Sequence, residues 1–407
     1  MFRSIPHIPP DVTASPEFEL IILCAHTTLP EGFEQRLEDL LRRDINWPAL
    51  VRLAIAHQVL PLVYQRLRSA PADSVPAEVM AEFLQCRGAV LQNNLFLLTK
   101  LFQILQMLSE AGIPCIPYKG PSLAVLAYGG NFGLRPFGDL DILVPSQAYE
   151  KTRDLFRAHG YHDGPDYGFE LSMVDSTDGV AVDIHRAITP DRFPVQLDFF
   201  RLQSRLRVLR VADREIRSFG PEDMLVILCV QLAKDSWQRP WLSLSKVCDI
   251  AELLRAHPNL NWKQVACEGR RLRCEFILSF ALAFSHELLG AAEPALELRR
   301  MPRRDHKALA AHVEHKIFNQ MSPDYRGRLN QNRFHFKIRE HWVDKIYPYL
   351  LDLPAAVRLS DRDREFVRLP ALLEPLYYAV RPIRVLRDLA RRRRDSGEEA
   401  RSDSSKQ

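Results

Sequence analysis

The chain has 407 residues, of which 46% are hydrophobic and 26% charged, and its formal net charge is +4. This composition excludes an intrinsically disordered chain and leaves room for two or three globular units. The net charge is too small for this length to indicate a nucleic-acid or membrane partner by itself. The seven cysteines are scattered and lack a CxxC pair, so we expect reduced thiols in a cytoplasmic protein and no zinc site. No stretch reaches the ~20 apolar residues of a spanning helix, and no signal-peptide pattern is evident.

The first 110 residues are predicted to form an N-terminal helical region (1–110). Residues 1–13 are rich in proline and are expected to be loose. Beyond them, the apolar spacing predicts helices over Leu20–Leu23, Phe33–Leu41, Trp47–Leu67 and Ala77–Leu108. His57 lies on or beside an apolar face, and a structural role is favoured for it because nothing nearby makes it a ligand.

A Lys-Gly step ends the first predicted strand, Ile113–Tyr118. The two prolines in this strand favour an edge or irregular strand over a central one. After Lys119 and Gly120, a proline at the first helical position and Ser122 in the first turn predict the start of a helix. Free backbone N–H groups, the helix dipole and the Lys119 ammonium make this a place to hold phosphate.

Asp139 and Asp141 lie on the next predicted strand, which runs to Val144. Because side chains alternate along a strand, both carboxylates point to one face and the aliphatic residues to the other. Two adjacent carboxylates repel each other, and a magnesium ion would give a reason for placing them together. The alternative is a strand end at which both acids are solvated, and the pair alone favours that interpretation.

A second strand, Val180–His185, places Asp183 and His185 opposite an apolar stripe. Three strand aspartates that converge would suit metal-assisted phosphoryl or nucleotidyl transfer. Two carboxylates would hold ions that clamp a triphosphate, and the third would activate the attacking hydroxyl or complete the coordination. His185 either orients or neutralises Asp183, or is simply a polar residue at a strand end, and the sequence favours neither.

Arg135 lies between two glycine-containing turns, just before the acid pair. Most loop arginines are solvated, but the planar guanidinium fork matches phosphate, and this position favours a phosphate contact. The strand Phe169–Val174 is expected to pair with the strand of Asp183, and Arg207–Phe219 could add another pair. Mixed strands with helices between them predict an α/β (α+β) core over residues 111–219.

These residues together resemble the DNA polymerase β-like nucleotidyltransferase superfamily, and within it a bacterial group of uncharacterised nucleotidyltransferases. The resemblance implies a small mixed-sheet palm flanked by N-terminal and C-terminal helical regions. It implies two magnesium ions at Asp139, Asp141 and Asp183, and a triphosphate held by Gly120 and Ser122 and neutralised by Lys119 and Arg135. The expected reaction moves a nucleoside monophosphate from a nucleoside triphosphate to an acceptor, with ATP binding expected and a protein, an RNA or a small molecule left open as the acceptor.

A second helical region, residues 220–295, is expected to begin at Gly220-Pro221 and to pack on the palm. Met224–Lys234 is predicted to be a buried helix that is interrupted from Asp235 onward. The resembling group usually carries histidines near Gln231 and Asp235, and these are absent here. Nucleotide or substrate contacts remain open for Lys234, Trp237, Lys246 and Asp249, although packing is favoured for the tryptophans Trp237 and Trp241.

The last part of the chain carries a weaker signal. Residues 296–390 are predicted to be mostly helical and basic, and residues 391–407 to be a disordered tail. Arginines interleaved with aromatic residues can bind nucleic acid, an anionic membrane or a protein partner, whereas a solvated helical face is the commoner outcome.

Two alternatives to the enzyme hypothesis follow from the sequence. The Gly-Pro-Ser step at residues 120–122 and the missing histidines support a catalytically degenerate module that binds a nucleotide or a partner without turnover. The basic aromatic segment supports, more weakly, a membrane-peripheral protein. A short echo between Ile45-Asn-Trp47 and Leu260-Asn-Trp262 predicts two Asn-capped helices of similar use, but two copies are too few for a repeat architecture.

Overall fold

The computed structural model describes residues 15–29, 32–71, 73–239, 241–292 and 306–318, together with 334, 336–340, 345, 366–367 and 387. The chain divides into two compact units, residues 1–341 and 342–407, and the elements below belong to the first. The predicted loose start, most of the basic region 296–390 and the predicted tail 391–407 lie outside the described residues. The other predicted domain boundaries stay predictions.

Within the described residues, five helices precede the sheet, and two of them replace one predicted helix. They are α1 (Pro16–Cys24), α2 (Phe33–Leu41), α3 (Trp47–Ala56), α4 (Leu60–Leu67) and α5 (Ala77–Glu110). The prediction of one continuous helix over Trp47–Leu67 is wrong, because the chain turns at Gln58, whose φ is 58°. His57, at this break, is fully buried, and its Nδ1 accepts a hydrogen bond from the Leu244 amide at 3.2 Å.

A mixed five-stranded sheet forms the centre, which confirms the predicted α/β class. Its strands are β1 (Ile116–Tyr118), β2 (Asp139–Leu143), β3 (Tyr161–Asp166), β4 (Glu170–Asp175) and β5 (Ala181–His185), in the spatial order β1-β2-β5-β4-β3. Strands β2 and β5 are parallel, and the other neighbours are antiparallel. The sequence did not predict β3, in which a Gly-Pro step and a register shift between Asp163 and Asp166 obscure the alternation.

The connections place two helices against the sheet and a hairpin beside it. Helix α6 (Gly120–Tyr128) follows β1, and α7 (Tyr149–Ala158) follows β2 after a 3₁₀ turn at Ser146–Ala148. The pattern after β2 predicts Ser146 as the N-cap of a helix through His159, and this is wrong, because the Ser146 hydroxyl donates to the Arg186 carbonyl at 3.4 Å instead. A short helix α8 (Phe199–Gln203) leads to the predicted hairpin of β6 (Arg207–Val211) and β7 (Arg214–Ser218).

A second set of helices follows the hairpin. These are α9 (Pro221–Gln238), α10 (Ser245–Ala256), α11 (Trp262–Arg271), α12 (Glu275–Leu289) and α13 (His306–Phe318). The predicted interruption at Asp235 is wrong, since α9 continues to Gln238. The Ser236 hydroxyl donates back to the Leu232 carbonyl at 2.6 Å, as helical serines commonly do.

The core lies under the sheet face opposite the aspartates. Leu140, Ile142, Val182 and Ile184 are each at most 1% exposed, and each such side chain stabilises the fold by roughly 1.5–3 kcal/mol relative to exposure. All seven cysteines are free thiols, and Cys267 is exposed. Within the residues that the structure describes, no helix is both long and apolar enough to cross a bilayer.

Candidate active site

The sheet register brings two of the predicted aspartates side by side. Asp141 of β2 pairs with Asp183 of β5, and the parallel pairing points both carboxylates to the same face. The row continues on both sides, because Tyr118 pairs with Asp141 and Ser172 pairs with Asp183. One polar row therefore crosses four strands on the face opposite the aliphatic core.

Asp141 is the centre of this row. The Lys119 Nζ donates to its Oδ1 at 2.6 Å, and the His185 Nε2 lies 2.9 Å from the same oxygen. The Asp141 side chain is only 5% exposed. Burial acts to raise the pKa of Asp141, but the Lys119 ammonium and the His185 contact outweigh it and hold the pKa well below its usual range. Asp141 is therefore a carboxylate at neutral pH.

The pKa values of the other two acids, Asp183 and Asp139, are shifted in the opposite direction, upward. Burial, and then the charge of Asp141, raises the pKa of Asp183 to about 6, although a hydrogen bond from Ser172 opposes this. Asp139 begins β2 and is exposed to solvent. The protein around it still desolvates it in part, and this desolvation, followed by repulsion from Asp141, raises its pKa. The row thus holds more negative charge than its own cations neutralise.

This donor set fits a hard divalent cation. In the described part of the chain, ligand atoms of Asp141, Asp183 and His185 all lie within 4.8 Å of one another. Asp139 is outside that group, so its predicted role as a ligand stays a prediction. Carboxylate oxygens and an excess of negative charge are what magnesium requires. Because the His185 Nε2 already contacts Asp141, His185 fits the role of orienting that carboxylate.

Sequence reasoning missed two residues of the site, Glu170 and Tyr118, which both lie beside His185. The His185 Nδ1 lies 3.4 Å from the Glu170 Oε2 without a hydrogen bond, and the His185 ring meets the Tyr118 ring edge-on at a centroid distance of 5.3 Å. Tyr118 is 1% exposed. Alternation on β4 could have indicated Glu170, because Glu170 and Ser172 alternate with the buried Leu171 and Met173.

Lys119 reaches the row through a strained backbone. Its φ of 56° and ψ of −148° lie outside the regions that non-glycine residues normally occupy, which costs roughly 1–3 kcal/mol. Gly120, with a φ of 36°, follows it at the start of α6. The strain is offset by the ion pair of Lys119 with Asp141. Such outliers are concentrated at functional sites.

Ser122 and Arg135 are engaged inside the protein. The Ser122 hydroxyl is buried and donates to the Pro117 carbonyl at 3.3 Å. The Arg135 guanidinium makes a two-pronged ion pair with Asp249 at 2.8 and 2.9 Å, and the Tyr128 hydroxyl donates to the same carboxylate at 2.9 Å. Arg135 lies close enough to the row to lower the pKa of Asp139. The predicted phosphate contacts of Gly120, Ser122 and Arg135, and the substrate contact of Asp249, stay predictions.

Helices α9 and α10 bring further charges near the row. Lys234 and Asp235 lie on the last turns of α9, and Lys246 lies on the first turn of α10. The Lys246 Nζ is 3.3 Å from the Asp235 carboxylate. Lys119 and Lys246 both lower the pKa of Asp139, so their charges act on the acids. Trp237 lies on the same helix with its ring 6.2 Å from that of Phe193, as a packing residue would.

Residues 43–290 match the family described as uncharacterised nucleotidyltransferase. The chain belongs to the uncharacterised nucleotidyltransferase family. The matched segment contains helices α3–α12 and the whole five-stranded sheet, and the family membership predicted from the sequence is confirmed. No curated protein gives a significant match.

Several solved structures are similar at low identity. The antibiotic-resistance factor ANT(2'')-Ia is 14% identical, and the match covers 45% of this chain and 94% of that one with a TM-score of 0.33. The lincosamide antibiotic adenylyltransferase LnuA is 17% identical, with coverages of 38% and 94% and a TM-score of 0.29. An antigenic nucleotidyltransferase-like protein from Paracoccidioides brasiliensis is 15% identical, with coverages of 57% and 93% and a TM-score of 0.28. With TM-scores this low, none of them indicates a substrate for this chain.

Proposed function

We propose that this nucleotidyltransferase-family protein moves a nucleoside monophosphate from a nucleoside triphosphate to an acceptor in a magnesium-dependent reaction. The observation that carries the proposal is the adjacent pair of Asp141 and Asp183, flanked by Asp139 and contacted by Lys119. Structural packing gives no reason to collect three acids on one polar sheet face. A divalent cation and the phosphates of a bound triphosphate would balance their charge.

The residues have distinct roles in this reaction. Asp139, Asp141 and Asp183 would hold the magnesium ions, and bound magnesium supplies charge neutralisation for the triphosphate and for the pyrophosphate that leaves. Lys119 adds positive charge at the start of α6, and His185 keeps Asp141 oriented. A bond forms between the acceptor oxygen and the α-phosphorus, while the bond from the α-phosphorus to the bridging oxygen breaks. The acceptor proton goes to Asp183 when that carboxylate is free, and otherwise to water.

A degenerate, binding-only module is the second candidate. It is favoured by the Ser122 hydroxyl, which is directed to the Pro117 carbonyl, and by Arg135, which is paired with Asp249. The family resemblance implies that both groups contact the triphosphate. For that, both side chains would need to turn away from their present partners. This candidate predicts stabilisation by a nucleotide without release of pyrophosphate.

The test compares two exposed aspartates. Three full-length proteins are used: the wild type, Asp139→Asn, and the control Asp154→Asn on α7, where the Asp154 side chain is 74% exposed. Each protein is incubated with each α-labelled nucleoside triphosphate, with and without magnesium. Pyrophosphate release and label in protein, RNA and small-molecule fractions are measured, with melting temperature as the measure of nucleotide binding.

We expect magnesium-dependent transfer by the wild type and the control. Asp139→Asn should lose at least ~100-fold in rate with its melting temperature unchanged, since even outer partners of metal ligands cost about 10–100-fold. Full turnover by Asp139→Asn would contradict the role of Asp139. Nucleotide-dependent stabilisation without pyrophosphate release would favour the binding-only module.

A further inference from the structure

Lys234, near the end of α9, has a buried ammonium group without a close partner. Its side chain is 7% exposed, and its nearest carboxylate oxygen, on Asp235, lies 3.7 Å away, beyond hydrogen-bond distance. The Nζ lies 5.3 Å from the centre of the Phe169 ring. Among the described residues it makes no hydrogen bond. Lysine is almost never buried unless it is paired, and the described protein groups supply no hydrogen-bond acceptor to this ammonium, so its donors are open to a ligand.

The surroundings of Lys234 are cationic. Lys246 and Lys234 both lie beside the Asp235 carboxylate, at 3.3 Å and 3.7 Å, and Asp235 is 4% exposed. Burial lowers the pKa of Lys234, and although Asp235 and Glu170 oppose that shift, Lys119 and Lys246 add to it. Lys119 also acts on Asp235. Lys234, Lys246 and Arg239, whose Nε is 3.6 Å from the same carboxylate, therefore surround one buried aspartate, and their combined positive charge exceeds its negative charge.

This cationic group lies next to the acid row. The Phe169 ring, under the Lys234 ammonium, is 6.4 Å from the His185 ring, and His185 contacts Asp141. Lys119 lies near both charge groups, because it contacts Asp141 and its charge also acts on Asp235 and Lys234. A ligand that spans the two groups must carry several negative charges along its length.

We propose that Lys234 and Lys246 form the subsite for the β- and γ-phosphates of the donor triphosphate, which leave together as pyrophosphate. The inference rests on the proposed function and gives a specific role to two residues for which the sequence left a nucleotide or substrate contact open. An ammonium with three donors and no close acceptor matches a phosphate group rich in acceptor oxygens. Lys119 contacts Asp141 and acts on Lys234, so a chain of phosphates bound by the lysine pair would reach the aspartates past Lys119.

A purely structural Lys234, packed on the Phe169 ring, makes a different prediction. Methionine at position 234 has a similar length and would keep that packing without the charge. If Lys234 is only a packing residue, Lys234→Met changes stability slightly and leaves anion binding alone. If it binds phosphate, anion binding is lost, while the melting temperature of the free protein stays the same or rises because a buried charge is removed. The two cases therefore differ in anion binding.

The experiment uses the full chain and inorganic pyrophosphate as the probe. We compare the wild type with Lys234→Met, Lys246→Met and the control Lys263→Met, where Lys263 is exposed on α11. Binding is measured by titration calorimetry with and without magnesium, and stability by the melting temperature. We expect pyrophosphate to bind Lys234→Met at least about tenfold more weakly than the wild type. A hydrogen bond to a charged group is worth ~1.5–3 kcal/mol, and each 1.4 kcal/mol is tenfold. Lys263→Met should match the wild type.

Turnover is measured on the same proteins, so that the two proposals fail separately. Wild-type turnover together with unchanged pyrophosphate affinity and unchanged KM for the triphosphate in Lys234→Met would overturn the subsite and leave the proposed reaction standing. Lys234-dependent pyrophosphate binding without turnover by the wild type would support the subsite and count against the reaction. A loss of pyrophosphate binding by Lys263→Met equal to that of Lys234→Met would also overturn the subsite, because a general loss of positive charge would then explain it.

Discussion

Two helical regions flank the sheet, α1–α4 before it and α9–α12 after it, and they share an unusual detail. Helices α1 and α9 both begin with proline followed by glutamate. The Glu17 carboxylate accepts a hydrogen bond from the Asn46 amide at 2.7 Å, and the Glu222 carboxylate accepts one from the Asn261 amide at 3.0 Å. In each region, a glutamate of the first helix therefore hydrogen-bonds to the asparagine that precedes the third helix.

The third helices, α3 and α11, are also capped and ended in the same way. The Asn46 and Asn261 side chains each accept a hydrogen bond from the amide three residues on, both at 3.1 Å. After each helix the chain turns at a residue with positive φ, Gln58 at 58° and Arg273 at 53°. The following amide then bonds back five residues, at 2.9 Å in both regions. The echo seen in the sequence thus marks two helical units with the same local construction.

The regions differ in the length of their first helix and in the charges that it carries. Helix α1 ends at Cys24, whereas α9 continues to Gln238, and this extension carries Lys234 and Asp235. On the second helices, Asp249 of α10 is buried and paired with Arg135, while Asp39 of α2 is 58% exposed and paired with Arg42. The two regions therefore share the hydrogen bonds that start and end their helices. They differ at Lys234, Asp235 and Asp249, which lie near the acid row.

The largest expected difference concerns these second-helix ion pairs. Asp249→Ala should destabilise the fold by about 3 kcal/mol, because it leaves the nearly buried Arg135 and the Tyr128 hydroxyl without their partner. Asp39→Ala is the control, and an exposed pair of its kind is worth about 0–1 kcal/mol. Denaturant midpoints of both variants measure the effect. Equal losses would show that burial does not distinguish the two regions.

Much of this arrangement could be predicted from local sequence patterns. The alternation of Asp139 and Asp141 with aliphatic residues predicted their strand, and the register shows Asp141 and Asp183 adjacent. Gly120 with proline after it predicted the start of α6. Such features depend on neighbours in sequence, and the physical rules for them are local.

The remaining parts depend on contacts between distant segments. The pairing of Arg135 with Asp249, the direction of the Ser122 hydroxyl and the contact of His185 with Asp141 rather than Asp183 follow from tertiary packing. The end of α9 was predicted too early because Asp235 is a poor helix residue by propensity. In the structure that carboxylate lies 3.3 Å from Lys246 of α10, and this tertiary contact outweighs the local preference.

The buried His57 at the break after α3 should make the stability of the N-terminal region depend on pH. The second region has Leu272 at the matching place, which does not titrate. Burial alone lowers the pKa of His57 to about 4, and the rings of Phe18 and Trp241 lie beside it. The unfolded chain then binds a proton that the folded chain does not between about pH 6.5 and 4. Stability should fall with falling pH in this window, by at most ~1.4 kcal/mol per unit from this residue.

His57→Leu tests that dependence, since Leu272 occupies the matching place after α11. The variant loses the hydrogen bond to Leu244 and should be less stable at pH 7.5, yet its stability should change less between pH 6.5 and 4 than that of the wild type. His159→Leu, an exposed histidine after α7, should leave the wild-type slope in place. Urea denaturation across this pH range gives both slopes. A His57→Leu slope equal to that of the wild type would locate the acid sensitivity elsewhere.

The smallest expected effect tests whether the two regions really share their caps. Asn46→Ala and Asn261→Ala each remove one side-chain acceptor from a helix start, and each should cost about 1 kcal/mol. Asn46→Gly and Asn261→Gly are matched controls that should cost only a few tenths of a kcal/mol. Because the two caps have the same geometry, the losses should agree within about 0.5 kcal/mol and add in the double variant. A clear loss at one cap only would mean that tertiary packing, and not the shared motif, holds the other helix in place.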